Sequence, residues 1–319
     1  MTYAFCFPGQ GAQEVGMCRD IYEAFPSARD VFEEADYALE MNLTRTIFDG
    51  PEEELRLTET TQPAIMTASI AVLRALEREM GVRVAPVCGA GHSLGEYTAL
   101  VAAGSIAFQD AVSLVKKRGA WMQEATPEGT GCMVALMGIE PEDVIAACSE
   151  VAPNMECQVA NFNSPGQTVI SGITEFVDKA VAMAAKKGGS RVKSVTLNVS
   201  APFHSRLMMP AAIKLRDEFE RCRWKPAVWP VISNAEAAPV SSVDDIKRAL
   251  FEQTYSPVRW VETVGKMADG FGVGVFLELG PGNVLSSLNK RCRKGITVMS
   301  ADAPDKLEAI AKLIEKGEA

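Results

Sequence analysis

Gly91-His92-Ser93-Leu94-Gly95 is the stretch on which the reading of the fold turns. It matches the G-x-S-x-G pattern, and its flanks suit that pattern: Val82 to Cys88 reads as a strand and Leu94 to Ala103 as a helix. A chain that reverses so sharply brings strand and helix too close for side chains, which Gly91 and Gly95 accommodate. The turn also leaves the Ser93 hydroxyl exposed where helix amides stabilise negative charge, as a nucleophile elbow requires. The competing reading is a glycine-flanked helix start, because serine is a favoured N-cap.

Working outward, Tyr3 to Phe7 reads as a strand that runs into the turn Pro8-Gly9-Gln10-Gly11. Helical patterns cover Ile21 to Leu39 and Ala64 to Met80, with a looser acidic stretch from Pro51 to Thr61 between them. From Gly131 to Val199 the rhythm changes to strand, helix, strand, strand, helix, strand, the order of a ferredoxin-like unit. Asn161 and Asn163 fall after its second strand, Cys157 to Ala160, where they read equally as substrate donors or turn formers. Helices at Leu207 to Cys222, Val243 to Gln253 and Val258 to Met267 then alternate with strands at Val228 to Ser233 and Gly274 to Leu279. The expected fold is α/β: an α/β-hydrolase-like large domain with a parallel sheet, residues 1–130 and 200–319, and an inserted ferredoxin-like small domain, residues 131–199. Loops beyond the carboxyl ends of parallel strands gather functional groups, so Gln10, Ser93 and the segment after residue 199 are expected to converge.

Composition narrows the classes of function. The chain has 319 residues, of which 47% are hydrophobic and 23% charged, with 32 basic against 41 acidic and a net charge of −9. That balance argues against a nucleic-acid surface while leaving room for local basic sockets. No stretch is long and apolar enough to span a bilayer, and the amino terminus lacks the pattern of a secretory signal, so a cytoplasmic protein is expected. Eight cysteines without a CxxC pair read as reduced thiols, and two histidines are too few for a histidine-rich zinc site, so no metal is expected.

A serine hydroxyl needs a base. His92 adjoins Ser93, but neighbouring side chains diverge on a strained turn, which leaves His204 in Ala201-Pro202-Phe203-His204-Ser205, where the inserted unit returns to the main one. A satisfied structural histidine is the alternative there, and composition selects no third group to orient the ring. A long stretch of chain follows His204, whereas α/β-hydrolases place their histidine late, so a simple esterase fits less well. Arg118 continues the apolar stripe of Ala111, Leu114, Val115 and Met122 on the helix Phe108 to Gln123, so it faces inward. An inward guanidinium reads as either a carboxylate receptor or a structural salt bridge. The glycine turn at Gln10 matches no phosphate-loop spacing and reads better as a backbone amide offered to an oxyanion.

Taken together, FPGQGAQEVGM, GHSLGEYTAL, KKRGAWMQ, APFHS, QTYSPVRW and ELGPGNVL span nearly the whole chain and resemble the malonyl-CoA:acyl-carrier-protein transacylase family, its free-standing fatty-acid-synthesis type. The resemblance implies a malonyl ester on Ser93, with His204 as base, Gln10 and Leu94 amides as the oxyanion hole, and Arg118 on the malonyl carboxylate. It also implies that the backbone carbonyl of Gln253 orients His204. His92, Asn161, Asn163 and Phe203 would complete the substrate pocket, and Phe203 resembles the malonyl-selective version. Acyl carrier protein and malonyl-CoA would be the partners of a monomer needing no cofactor beyond the coenzyme A thioester. The competing readings are a serine hydrolase of small thioesters, an acyltransferase using another extender such as methylmalonyl-CoA, and an idle carrier-binding module.

Overall fold

The computed structural model describes residues 2–127, 129–199 and 201–317; the expected domain limits at 1, 200 and 319 lie outside the described residues. The chain begins with β1 (Thr2–Phe7), which alternates its side chains between two cores: Tyr3, Phe5 and Phe7 on one face, Ala4 and Cys6 on the other. A strand so buried on both faces belongs inside a parallel sheet covered by helices. Then follow α1 (Arg19–Ala24), α2 (Pro26–Leu39), α3 (Leu43–Asp49), α4 (Glu52–Arg56), α5 (Thr58–Arg78), β2 (Cys88–Gly91), α6 (Leu94–Ala102) and α7 (Phe108–Glu124). Next come β3 (Gly131–Met137), α8 (Pro141–Val151), β4 (Cys157–Ser164), β5 (Gln167–Ile173), α9 (Thr174–Gly188) and β6 (Lys193–Thr196). The remainder is α10 (Met209–Phe219), β7 (Val231–Ile232), β8 (Pro239–Val240), α11 (Val243–Gln253), α12 (Trp260–Gly265), β9 (Val273–Leu279), α13 (Val284–Cys292), β10 (Thr297–Ala301) and α14 (Pro304–Glu315).

Two sheets result, as the alternation of elements implies. The first has order β10-β9-β1-β2-β7-β8, parallel except for the edge strand β8. The second, β4-β5-β3-β6, is antiparallel throughout and has the strand order of a ferredoxin-like unit. Its helices α8 and α9 bury Val144, Ala147, Val177 and Ala180 against one sheet face. The loops after β1, β2 and β7 carry Gln10, Ser93 and Asn234 at the carboxyl ends of three adjacent strands.

Several elements differ from the sequence reading, mostly at prolines. The expected helix Ile21 to Leu39 is two helices, because Pro26 forces Phe25 into an extended conformation (φ −123°, ψ 118°) and then starts α2. Val82 to Val87 is not strand: Pro86 has no N–H to donate, and pairing with β1 begins at Cys88 and runs on to Gly91. Pro230 similarly confines β7 to Val231 and Ile232. The acidic stretch from Pro51 is not loose, since α4 lies in it and α5 starts at Thr58 with Pro63 inside. Burial of nearly the whole of α5 outweighs the lost proline hydrogen bond. Asn161 and Asn163 lie within β4, not in a turn beyond it, because β4 continues to Ser164 across two register shifts against β5.

Candidate active site

Ser93 sits at the end of β2 with φ 52° and ψ −103°, a backbone that costs about 1–3 kcal/mol for a non-glycine residue. The turn is so tight that a Cβ at Gly91 would lie 1.9 Å from the Gly95 carbonyl oxygen, and one at Gly95 would lie 2.1 Å from that of Phe7. Ser93 occupies the N-cap position of α6, yet its side chain caps nothing. The helix-cap reading therefore does not account for it. Its backbone is held instead from outside: the amide donates to Asn234 Oδ1 at 2.6 Å, and the carbonyl accepts from Gln253 Nε2 at 2.8 Å.

The Ser93 hydroxyl is aimed at His204, with Oγ 2.7 Å from Nε2. His204, also at positive φ (56°), is buried, and its Nδ1 lies 2.9 Å from the backbone carbonyl oxygen of Gln253. A carbonyl only accepts, so Nδ1 carries the proton and Nε2 presents its lone pair to the serine. Burial first, and the Arg118 cation second, push the imidazole down to about 3, so the ring is neutral and its Nε2 lone pair is open to the serine hydroxyl. The third group that composition could not select is thus a main-chain oxygen.

Arg118, on α7, is 1% exposed. Nη1 donates to Gln62 Oε1 at 2.8 Å, while Nη2 donates to Gln253 Oε1 at 2.9 Å and to Ser93 Oγ at 3.1 Å. The guanidinium also stands 5.2 Å from the centre of the Tyr97 ring. Among the described residues no carboxylate lies within 4.0 Å of it, so the salt-bridge reading fails. The nearby buried carboxyl of Glu96 is pushed up to about 7, first by burial, with Gln253, Asn234 and Arg118 opposing. A buried cation served by neutral oxygens retains the capacity to bind an anion, and Ser93 Oγ lies within its reach.

A cavity of about 320 Å³ gathers Gln10, His92, Ser93, Arg118, Asn161, Asn163, Phe203 and His204. Met133, Asn161, Asn163 and Val169 reach it from the antiparallel sheet, and Gln10, His92 and Ser93 from the loops after β1 and β2. His92 is turned to Asn163, with Nε2 2.9 Å from Oδ1, and its ring packs on Trp260. It does not share the Ser93 proton. Leu94 is the first residue of α6, so its amide has no acceptor inside the helix. Since the Ser93 amide is already taken by Asn234, Leu94 is the next donor along the elbow.

Three residues that the sequence reading did not single out complete the arrangement. Gln62 is a buried amide beside the buried threonines Thr60 and Thr61 in the first turns of α5, and its neighbour Pro63 was the only local flag. Glu96 follows the GHSLG run directly, and an acidic residue at a helix start looks unremarkable there. Asn234 follows the short strand β7, and its position at a carboxyl end was the available signal.

The model of the acyl transferase domain family matches residues 4–307. A malonyl CoA-acyl carrier protein transacylase of Bacillus subtilis is 45% identical over 317 residues, covering 99% of this chain and 98% of that protein. Its counterpart in Escherichia coli is 43% identical over 311 residues, covering 98% and 99%. Among solved structures, an acyl-carrier-protein-S-malonyltransferase from Bartonella henselae superposes with a TM-score of 0.94 at 40% identity, covering 99% of this chain and 100% of that one. A malonyl-transacylase solved in complex with its type II PKS acyl-carrier protein superposes with a TM-score of 0.93 at 42% identity, covering 98% and 99%. With nearly full-length matches in sequence and structure, the chain belongs to the malonyl-CoA:acyl-carrier-protein transacylase family.

Proposed function

We propose that this protein transfers a malonyl group from malonyl-CoA to the phosphopantetheine thiol of acyl carrier protein through a malonyl ester on Ser93. One observation carries the reading: Ser93 Oγ lies between the neutral Nε2 of His204 at 2.7 Å and the Arg118 cation at 3.1 Å in a single cavity. In the first half-reaction Nε2 takes the Oγ proton as Oγ bonds to the thioester carbonyl carbon. Amides of Gln10 and Leu94 receive the oxyanion; the C–S bond then breaks and His204 returns the proton to the coenzyme A sulfur. In the second half-reaction His204 takes the carrier thiol's proton, sulfur attacks the ester carbon, the C–O bond breaks, and Ser93 recovers its proton.

Arg118 holds the free carboxylate of the malonyl group, which fixes the thioester carbonyl near Oγ. The carbonyl of Gln253 keeps His204 in the tautomer that each step needs. His92, Asn161 and Asn163 shape the remaining wall, and Phe203, at 6% exposure, opposes a methyl branch on the acyl group. The same reading assigns residues 131–199 as an inserted domain that walls the cleft, a cytoplasmic monomer, and no cofactor besides the substrate thioester. It is tested by intact-protein mass spectrometry under rapid quench. A malonyl adduct mapping to Ser93 should form with malonyl-CoA and pass to added acyl carrier protein. Release of free malonate at the rate of donor consumption would instead mark a hydrolase.

A further inference from the structure

We propose that Asn234 and Glu96 are positioning residues for acyl transfer, locking the Ser93 backbone at its strained turn through a closed ring of buried hydrogen bonds. The inference rests on the Ser93 acyl-transfer reading and deepens it. Asn234 grips the elbow at two points: Oδ1 accepts from the Ser93 amide at 2.6 Å, and Nδ2 donates to the Gly91 carbonyl at 2.8 Å. Its own amide donates to Glu96 Oε2 at 3.0 Å. The same carboxylate oxygen accepts from Gln253 Nε2 at 2.9 Å, and Gln253 Nε2 donates in turn to the Ser93 carbonyl at 2.8 Å. Both polar backbone groups of Ser93 are therefore held by side chains from β7's loop and α11, and Glu96 joins the two holders. Asn234, Glu96 and Gln253 are each fully buried, which strengthens the bonds among them.

Two consequences for the reaction follow. Occupying the Ser93 amide directs the developing oxyanion to the Leu94 amide. Anchoring Gln253 through Glu96 also steadies the groups that hang from it, His204 by its backbone carbonyl and Arg118 by Oε1. Neither residue touches the reacting atoms, so the expected signature is loss of acylation rate without loss of donor binding.

The test uses the full chain and two probes: rapid-quench acylation by malonyl-CoA, and labelling by a fluorophosphonate, which reports serine reactivity without needing the malonyl carboxylate. Asn234→Ala, and the nearly isosteric Asn234→Asp in case the first does not fold, should each lower the acylation rate constant on the order of 10²-fold. Fluorophosphonate labelling should slow in parallel, while the dissociation constant for malonyl-CoA stays within about threefold of wild type. Glu96→Gln, whose amide oxygen can still accept both bonds, should recover most of the rate that Glu96→Ala loses. Folded Asn234 variants that acylate within about threefold of wild type, or whose loss lies in donor binding, would overturn the proposal. Equal losses in Glu96→Gln and Glu96→Ala would overturn it for Glu96. If wild type takes the fluorophosphonate but never the malonyl group, the acyl-transfer reading fails while the fluorophosphonate rates still judge the positioning.

Discussion

The elbow at Ser93 and the turn at His204 put their functional residues at nearly the same unusual backbone angle, φ 52° and 56°, by different means. The elbow is announced by its own glycines, which let strand and helix approach to distances where any side chain would collide with main-chain oxygen. The histidine turn contains no glycine. It is held by the Ser205 hydroxyl, which donates to the Pro202 carbonyl at 2.7 Å, and by the remote carbonyl of Gln253. A steric requirement leaves a local mark on the sequence, whereas a hydrogen-bonded one is distributed over residues far apart in the chain.

Replacing His204, the proposed base, tests the histidine turn most severely. His204→Gln should slow malonyl-adduct formation by about 10²–10⁴-fold under rapid quench, the range of general-base catalysis. A rate near wild type would leave the histidine turn with only a structural part. Arg118 touches both halves, and Arg118→Ala should reduce malonyl transfer by about 10²-fold more than acetyl transfer, given two charge-assisted bonds to the carboxylate. Equal losses with the two donors would remove the carboxylate-clamp role.

Gly91→Ala addresses the elbow alone. The added Cβ meets main-chain oxygen that cannot move aside, so denaturant unfolding should show a loss of about 3 kcal/mol or more. A variant of wild-type stability would show that the elbow is not sterically defined. The gentlest probe is pH. The folded His204 ring lies at about 3 against an ordinary 6.5, so between those values the unfolded chain takes up a proton that the folded chain refuses. Stability carried by this residue is complete above 6.5 and falls as pH drops through that window, by up to about 1.4 kcal/mol per pH unit. Unfolding at pH 6.5 and 4.5 should therefore show a smaller acid loss in His204→Gln than in wild type. Identical losses would mean that the ring is not held neutral. Glu96, pushed up to about 7, acts in the opposite direction, losing stability as pH rises from its ordinary value, so the variant comparison isolates the histidine.

Much of the site could be read from residue order alone. The GHSLG run fixed the surroundings of Ser93 through glycine sterics, and the apolar stripe of α7 turned Arg118 inward through helical periodicity. The alternation of strands and helices, with a β-α-β-β-α-β interlude, implied both sheets, because buried faces must repeat every two or 3.6 residues. Element boundaries were less legible where proline removed a donor, as at Pro26, Pro86 and Pro230. Packing alone selects which neutral groups surround the charge and the strain. Gln62, Asn234 and Gln253 come from α5, the β7 loop and α11, yet meet around Ser93 and Arg118. Their amides have no period and no spacing to betray them. A hydrogen bond is set by distances of a few tenths of an ångström, and only the packed chain sets those distances.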